Sequence, residues 1–176
     1  ESEDQSMAFS GAFLRKDQFQ FTFDAVQVVL EDLLPETPVF QQSGIANLAF
    51  SVGRSLSKNQ LDMTASIEEW TINNQSLGEF NFTTNGNTRL NTYVVAFDLI
   101  DQTNKSLAGK GVWQGLEDPV LNLNLDFEAF DLRFLSPLGK TSITDIEGKV
   151  SGAVNLWGPL KELKHNGSLD LEKAQL

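Results

Sequence analysis

Twenty-four Asp and Glu residues, one His and no Cys make up the reactive inventory of this chain of 176 residues. Carboxylates can work in pairs, as glycoside hydrolysis requires, but the acid partner needs an apolar setting that raises its pKa. Glu31-Asp32 and Glu68-Glu69 stand together without such a setting and are read as solvated charge. His165 adjoins Asn166-Gly167, a turn signal, so a surface position is expected rather than a ligand or catalytic role. Trp70, Trp113 and Trp157 offer stacking surfaces for a sugar, yet three scattered Trp are ordinarily core or rim packing. The absence of Cys rules out disulfides, a thiol nucleophile and thiolate metal sites. No glycine-rich phosphate loop and no His-rich metal motif appears. The sequence therefore assigns no catalytic residue, no metal and no cofactor, and the expectation is a protein that is not an enzyme.

Charge narrows the partners. A net charge of -11 and a pI near 4.4 argue against nucleic acid, whose phosphates need clustered Lys and Arg. They also argue against docking on anionic headgroups through charge. No run of about eighteen apolar residues and no signal peptide is present, so no segment reads as a membrane span. The opening "ESEDQSMAF" reads as a cut point, and the chain is expected to be a piece of a longer protein. Asn74, Asn81, Asn104 and Asn166 lie in Asn-x-Ser/Thr sequons, which would mark surface only in a secreted eukaryotic chain.

What remains is pattern. Thirteen Phe stand against one Tyr, and Phe has no polar tip, so a wide apolar surface must be buried by protein or by an apolar ligand. Period two dominates the chain. Phe19, Phe21 and Phe23 alternate with polar residues, as do Leu121, Leu123 and Leu125. Leu48, Phe50 and Val52 share a face with Ala46, and Leu61 and Met63 with Ala65 and Ile67. Phe80 and Phe82 follow, then Tyr93, Val95, Phe97 and Leu99. Near the end come Val150, Val154 and Leu156 with Gly152, then Leu169 and Leu171. These are half-buried antiparallel strands with Asn, Thr and Gln on the wet face. Turns are expected at Ser43-Gly44, Lys58-Asn59, Asn85-Gly86 and Asn166-Gly167, giving about a dozen strands.

Two stretches depart from alternation. Val26, Val29, Leu30, Leu33 and Leu34 before Pro35, and Phe130, Phe134 and Leu138 around Pro137, fall at helical spacing. A short amphipathic helix or a continued strand fits each of them. The two stretches occupy matching places. Residues 23–28 lie on 127–132, and without a gap Gly44 falls on Gly148 and Ala49 on Ala153. An internal repeat over about 19–67 and 121–171 is expected, within a single β-rich piece spanning 1–176.

The order of these motifs resembles a family. Leu132-x-Phe134-x-x-Pro137-Leu138 is followed by Ile146-x-Gly148-x-Val150-x-Gly152-x-Val154-x-Leu156-x-Gly158-Pro159, then by Gly167-x-Leu169-x-Leu171. This is similar to the C-terminal repeat region of the TamB family, the translocation and assembly module subunits, within the wider AsmA-like envelope proteins. The resemblance covers about 121–176 and, through the repeat, 19–67; over 70–115 it extends only to β-rich, glycine-punctuated strands. It implies an all-β, mainly antiparallel sheet, curved and open, forming a trough with an apolar interior (a β-taco). It also implies a periplasmic bridge anchored in the inner membrane of a Gram-negative bacterium, partnering an Omp85-type outer-membrane barrel. Such proteins are implicated in carrying phospholipid to the outer membrane and in assembling outer-membrane proteins. The family brings no catalytic motif, and only the apolar-face positions transfer, as a class.

Elementary energetics agrees with a hydrocarbon-lined wall. Each CH₂ taken from a bilayer into water costs about 0.8 kcal/mol, so an acyl chain of about sixteen carbons costs on the order of 12 kcal/mol. A wall of Phe, Leu and Val without polar anchors offsets most of that cost. The expected wall comprises Phe19, Phe21, Phe23, Leu48, Phe50, Val52, Leu61, Met63, Leu121, Leu123, Leu125, Phe127, Val150, Val154, Leu156, Leu169 and Leu171. Its expected partners are phospholipid acyl chains, neighbouring repeats and, at unpaired sheet edges, other copies of the chain. The alternative is the same strands closed into a β-sandwich that grips a nascent outer-membrane strand or a partner protein at a sheet edge. A carbohydrate-active protein would need a convergent Trp–carboxylate cluster.

Overall fold

The computed structural model describes residues 5–15, 18–33, 41–55, 59–73, 75–101, 104–133 and 147–175. Alternation produces ten strands: β1 (Ser6–Arg15), β2 (Gln18–Val29), β3 (Gln42–Arg54), β4 (Asn59–Ile72), β5 (Gln75–Asn87), β6 (Thr92–Asp101), β7 (Asn104–Gln114), β8 (Val120–Asp131), β9 (Glu147–Pro159) and β10 (Lys164–Gln175). They form one sheet in sequence order, each antiparallel to the next, with β1 and β10 as its two edges. The sheet is open, and no second sheet faces it among the described residues, so the expected open all-β architecture is what forms and the sandwich is not. No helix among the described residues is long and apolar enough to cross a membrane.

Two strands lie where no alternation was singled out. In β1 the inner face is Met7, Phe9, Gly11 and Phe13, and in β7 it is Leu107, Gly109, Gly111 and Trp113. Glycines interrupt the apolar signal in both, although the period is kept.

Three expected turns fall inside strands. Ser43-Gly44 belongs to β3, Asn85-Gly86 to β5 and Asn166-Gly167 to β10. Gly86 is there for packing: a Cβ at this site would stand 2.5 Å from Cδ1 of Tyr93 on the next strand. The real turn follows at 88–91, where the Asn87 Oδ1 accepts the backbone N–H groups of Arg89 and Leu90 at 2.9 and 3.1 Å. Of the expected Lys58-Asn59 turn, Asn59 is the first residue of β4, and Lys58 lies outside the described residues.

The two stretches of helical spacing resolve differently from a helix along their length. β2 continues to Val29, and among the described residues one helical turn follows, α1 (Leu30–Leu33), which packs on β2 and β3 with Leu30 buried, while Leu34 lies outside the described residues. β8 likewise continues to Asp131; Phe130 is a strand residue, while Phe134 and Leu138 lie outside the described residues. The cause is a bulge in each strand. Register slips between Ala25 and Val28 in β2, between Ile67 and Trp70 in β4, and between Phe127 and Phe130 in β8. The inserted residues Gln27, Glu69 and Ala129 have φ of 56°, 51° and 49°. A bulge bends its strand and raises the local twist. Because β2, β4 and β8 run the same way, their bulges lie toward one end of the strands. The buried apolar residues gather at that end: Ala25, Val28, Leu30, Leu77, Leu99, Phe130 and Val150.

Candidate functional site: an apolar sheet face

Register places the alternating apolar positions in rows that run across the strands. One row reads Met7, Ala25, Leu48, Ala65, Phe82, Phe97, Gly109, Leu125, Val154 and Gly167, one residue from every strand and none of them polar. The next begins Phe9, Phe23, Phe50 and Met63, passes Thr84, Val95 and Gly111, and ends Leu123, Leu156 and His165. A third contains Phe21, Val52, Leu61, Tyr93, Trp113 and Leu121. At a strand spacing of about 4.8 Å, nine steps make a row about 43 Å long. That exceeds the roughly 30 Å hydrocarbon core of a bilayer.

All seventeen residues expected to form the wall stand on this face. Most are half-buried, as neighbouring side chains on a single sheet cover one another. Phe21 shows how: its ring lies 5.4 to 6.0 Å from those of Phe13, Phe19 and Phe9. Val150 differs from the rest. It is buried beside Phe130 in a cluster with Leu77 and Leu99, flanked by Trp70, Phe80, Leu107 and Phe127, and so belongs to the packed end of the face. Leu169 and Leu171 are exposed on the β10 edge. Sequence reasoning left out of the wall Phe9 and Phe13 on β1, exposed at 71% and 81%, and the middle strands with Phe82, Val95 and Phe97. The signal for the middle strands was their own alternation.

The opposite face is mainly polar. Ser10 and Thr22 share a hydrogen bond of 2.6 Å, Asn81 Nδ2 donates to Asp98 Oδ1 at 3.2 Å, and Asn155 Nδ2 donates to Asn124 Oδ1 at 2.6 Å. Such cross-strand pairs hold register without apolar contact.

The residues that raised other chemistries are dispersed. His165 is an exposed strand residue opposite Leu156, not a turn residue. Glu68 and Glu69 are exposed, as are Glu31 and Asp32 in α1. Trp70 packs against Phe80 with centroids 5.5 Å apart; Trp113 donates its indole N–H to the Gly115 carbonyl at 3.0 Å; Trp157 pairs with Asn122 on the polar face. The three make no shared platform. Among the described residues no group of three His, Cys, Asp or Glu is placed to hold a metal ion.

A hollow of ≈ 890 Å³ lies at the bulged end, lined by Glu69, Thr71, Gln75, Asp101, Asp131 and Arg133 among others. The Arg133 guanidinium donates to both Asp131 oxygens, with Nε at 3.0 and 2.9 Å. This hydrogen bonding holds the Asp131 carboxyl below its ordinary pKa, against the opposing effect of burial. Comparisons with protein-family models, curated proteins and solved structures return no match.

Proposed function

We propose that this chain is a non-enzymatic segment of a TamB-like periplasmic bridge whose apolar face carries phospholipid acyl chains between inner and outer membrane, in support of outer-membrane protein assembly. The observation behind this reading is the unbroken apolar row from Met7 on β1 to Gly167 on β10. A globular protein would cover such a face with a second layer. Among the described residues the face is a single layer, half-buried, and ends at open edges on both sides. An acyl chain laid along it trades bilayer for Phe, Leu and Val at little net cost, since both environments remove CH₂ groups from water. Weak differential binding suits carriage, because a wall that gripped one chain tightly would not release it. The polar outer face keeps the carrier apart from its neighbours.

Purified protein extracted with organic solvent and read by mass spectrometry is the test. Phospholipid in stoichiometric amount, against a solubility-matched control, is the expected result. No phospholipid and no uptake of a fluorescent lipid would sink the proposal. A second reading, capture of a partner strand at a sheet edge, is favoured by β1 alone. From Ser6 to Leu14 that edge has no charge and no Pro, the usual devices that protect an exposed edge.

A further inference from the structure

Apolar residues interrupt the polar outer face in two places: Val26, Ile45 and Ile100 at the bulged end, and a second group at the strand ends opposite the bulges. Val112 stands beside Asn122 and then Trp157, and Val120 beside Gln114, all on the outer face. The turns just beyond carry Leu90 and Leu116, each 69% exposed, and Leu160, also exposed. These turns are joined to one another. Gly115 N–H donates to the Asn91 carbonyl at 2.8 Å, and Leu160 N–H donates to the Pro119 carbonyl at 3.1 Å. The leucines therefore sit on a continuous, hydrogen-bonded ledge and not on separate loops. Exposed apolar residues scattered singly need no explanation, but a contiguous set does.

We propose that this ledge docks on the surface of a phospholipid bilayer, a role beyond carriage of acyl chains by the inner face. Charge points to that occupant. Arg89, Lys161 and Lys164 are matched by Glu117, Asp118 and Glu162, with Lys161 bound to Asp118 at 3.2 Å. In a chain of net charge -11 the ledge is locally neutral, so it neither repels headgroups nor depends on anionic ones. Trp157 lies directly opposite Lys164 on β10. An indole beside a basic residue, next to exposed leucines, suits the boundary between headgroups and acyl chains. The leucines stand exposed on turns beyond the strand ends, where a fluid bilayer surface can reach them.

Flotation of the purified chain with phosphatidylcholine vesicles tests this. The parent should float, and raising the salt concentration should leave it bound. The triple variant Leu90→Ser, Leu116→Ser, Leu160→Ser, checked by circular dichroism, should lose at least about tenfold in vesicle partitioning. Brominated acyl chains should quench an emission component that Trp157→Phe removes. Lipid extracted from the triple variant should match the parent's, which separates failure of docking from failure of carriage. Undiminished flotation of the triple variant would overturn the proposal. So would flotation only with anionic vesicles and reversal by salt. A parent that stays off vesicles while the triple variant abolishes self-association would assign the ledge to a second copy and overturn it as well.

Discussion

Ala129 donates its backbone N–H to the Ser151 hydroxyl at 2.9 Å, and Gln27 donates its own to the Asn47 side-chain oxygen at 2.9 Å. In each pair the donor is the left-handed bulge residue and the acceptor comes from the following strand. β2–β3 and β8–β9 thus build one bend in the same way. The second strands match residue for residue, Asn47 to Ser151 and Gly44 to Gly148, where both glycines have positive φ. The first strands are two residues out of step with an ungapped alignment, since Gln27 corresponds to Ala129 and not to Asp131. The bend, and with it the packed end of the apolar face, rests on a small number of side-chain acceptors.

Ser151→Ala removes the acceptor and leaves the Ala129 N–H without its protein partner. The expected loss is about 1 kcal/mol, in the range measured for single hydrogen bonds. Urea denaturation should show a lower midpoint at unchanged slope. A midpoint equal to the parent's would mean that water replaces the hydroxyl and that the bend needs no side-chain support.

The bulge also inverts an ordinary strand preference. At an exposed strand position Ile usually surpasses Gly by about 1 kcal/mol. Ala129 is exposed, but its φ of 49° is costly for a β-branched residue and free for Gly. Ala129→Ile should therefore be less stable than Ala129→Gly by about 1 kcal/mol or more. The usual order in thermal melts would show that the backbone here is extended in solution.

These bulges also explain which parts of the fold were legible in the sequence. Simple alternation located most strands and put the expected wall on one face, because a period of two has only one structural meaning over five or more residues. The bulged ends were not legible. Inserting one residue moves the inner face from Ala25 to Val28, from Ile67 to Trp70 and from Phe127 to Phe130, a step of three that mimics a helix. Asn85-Gly86 misled for the opposite reason. Its glycine makes room for Tyr93, a tertiary demand that leaves the same letters as a turn. The ledge around Leu116 and Leu160 gave no signal, since its parts are distant in sequence and meet only through turn-to-turn hydrogen bonds.

Leu125 lies in the fully apolar row between Gly109 and Val154, half-buried. Leu125→Glu places a carboxylate where acyl chains are proposed to lie, and a bare charge is poorly tolerated against hydrocarbon. The folded variant should retain its strand signal in circular dichroism and carry less phospholipid per chain. Equal lipid in a folded Leu125→Glu protein would put the acyl chains elsewhere.

Asp131 gives the pH dependence. Arg133 lowers its pKa in the folded state below the ordinary 3.8. The contribution is therefore complete above the unfolded value and is lost as pH falls through the lower folded value. Arg133 is 59% exposed, so solvent screening keeps the effect below about 1 kcal/mol. The gap in urea midpoint between the parent and Arg133→Ala should be constant above about pH 5 and close at lower pH. A gap that persists in strong acid would identify packing by the Arg133 stem as the cause.

The two edges complete the physical picture. Nine antiparallel steps separate β1 from β10, so these strands run in opposite directions. Laid beside β10 of another copy, β1 would continue both the alternation of direction and the apolar rows. Its exposed Phe9 and Phe13, uncharged neighbours and unpaired backbone favour such pairing. Light scattering should find association that grows with concentration. Phe9→Lys with Phe13→Lys introduces charges of the kind that protect natural edges and should shift the protein toward monomer. A parent that stays monomeric over a wide concentration range would show that β1 is closed to pairing in solution, leaving the apolar face, not the edge, as the surface that seeks a partner.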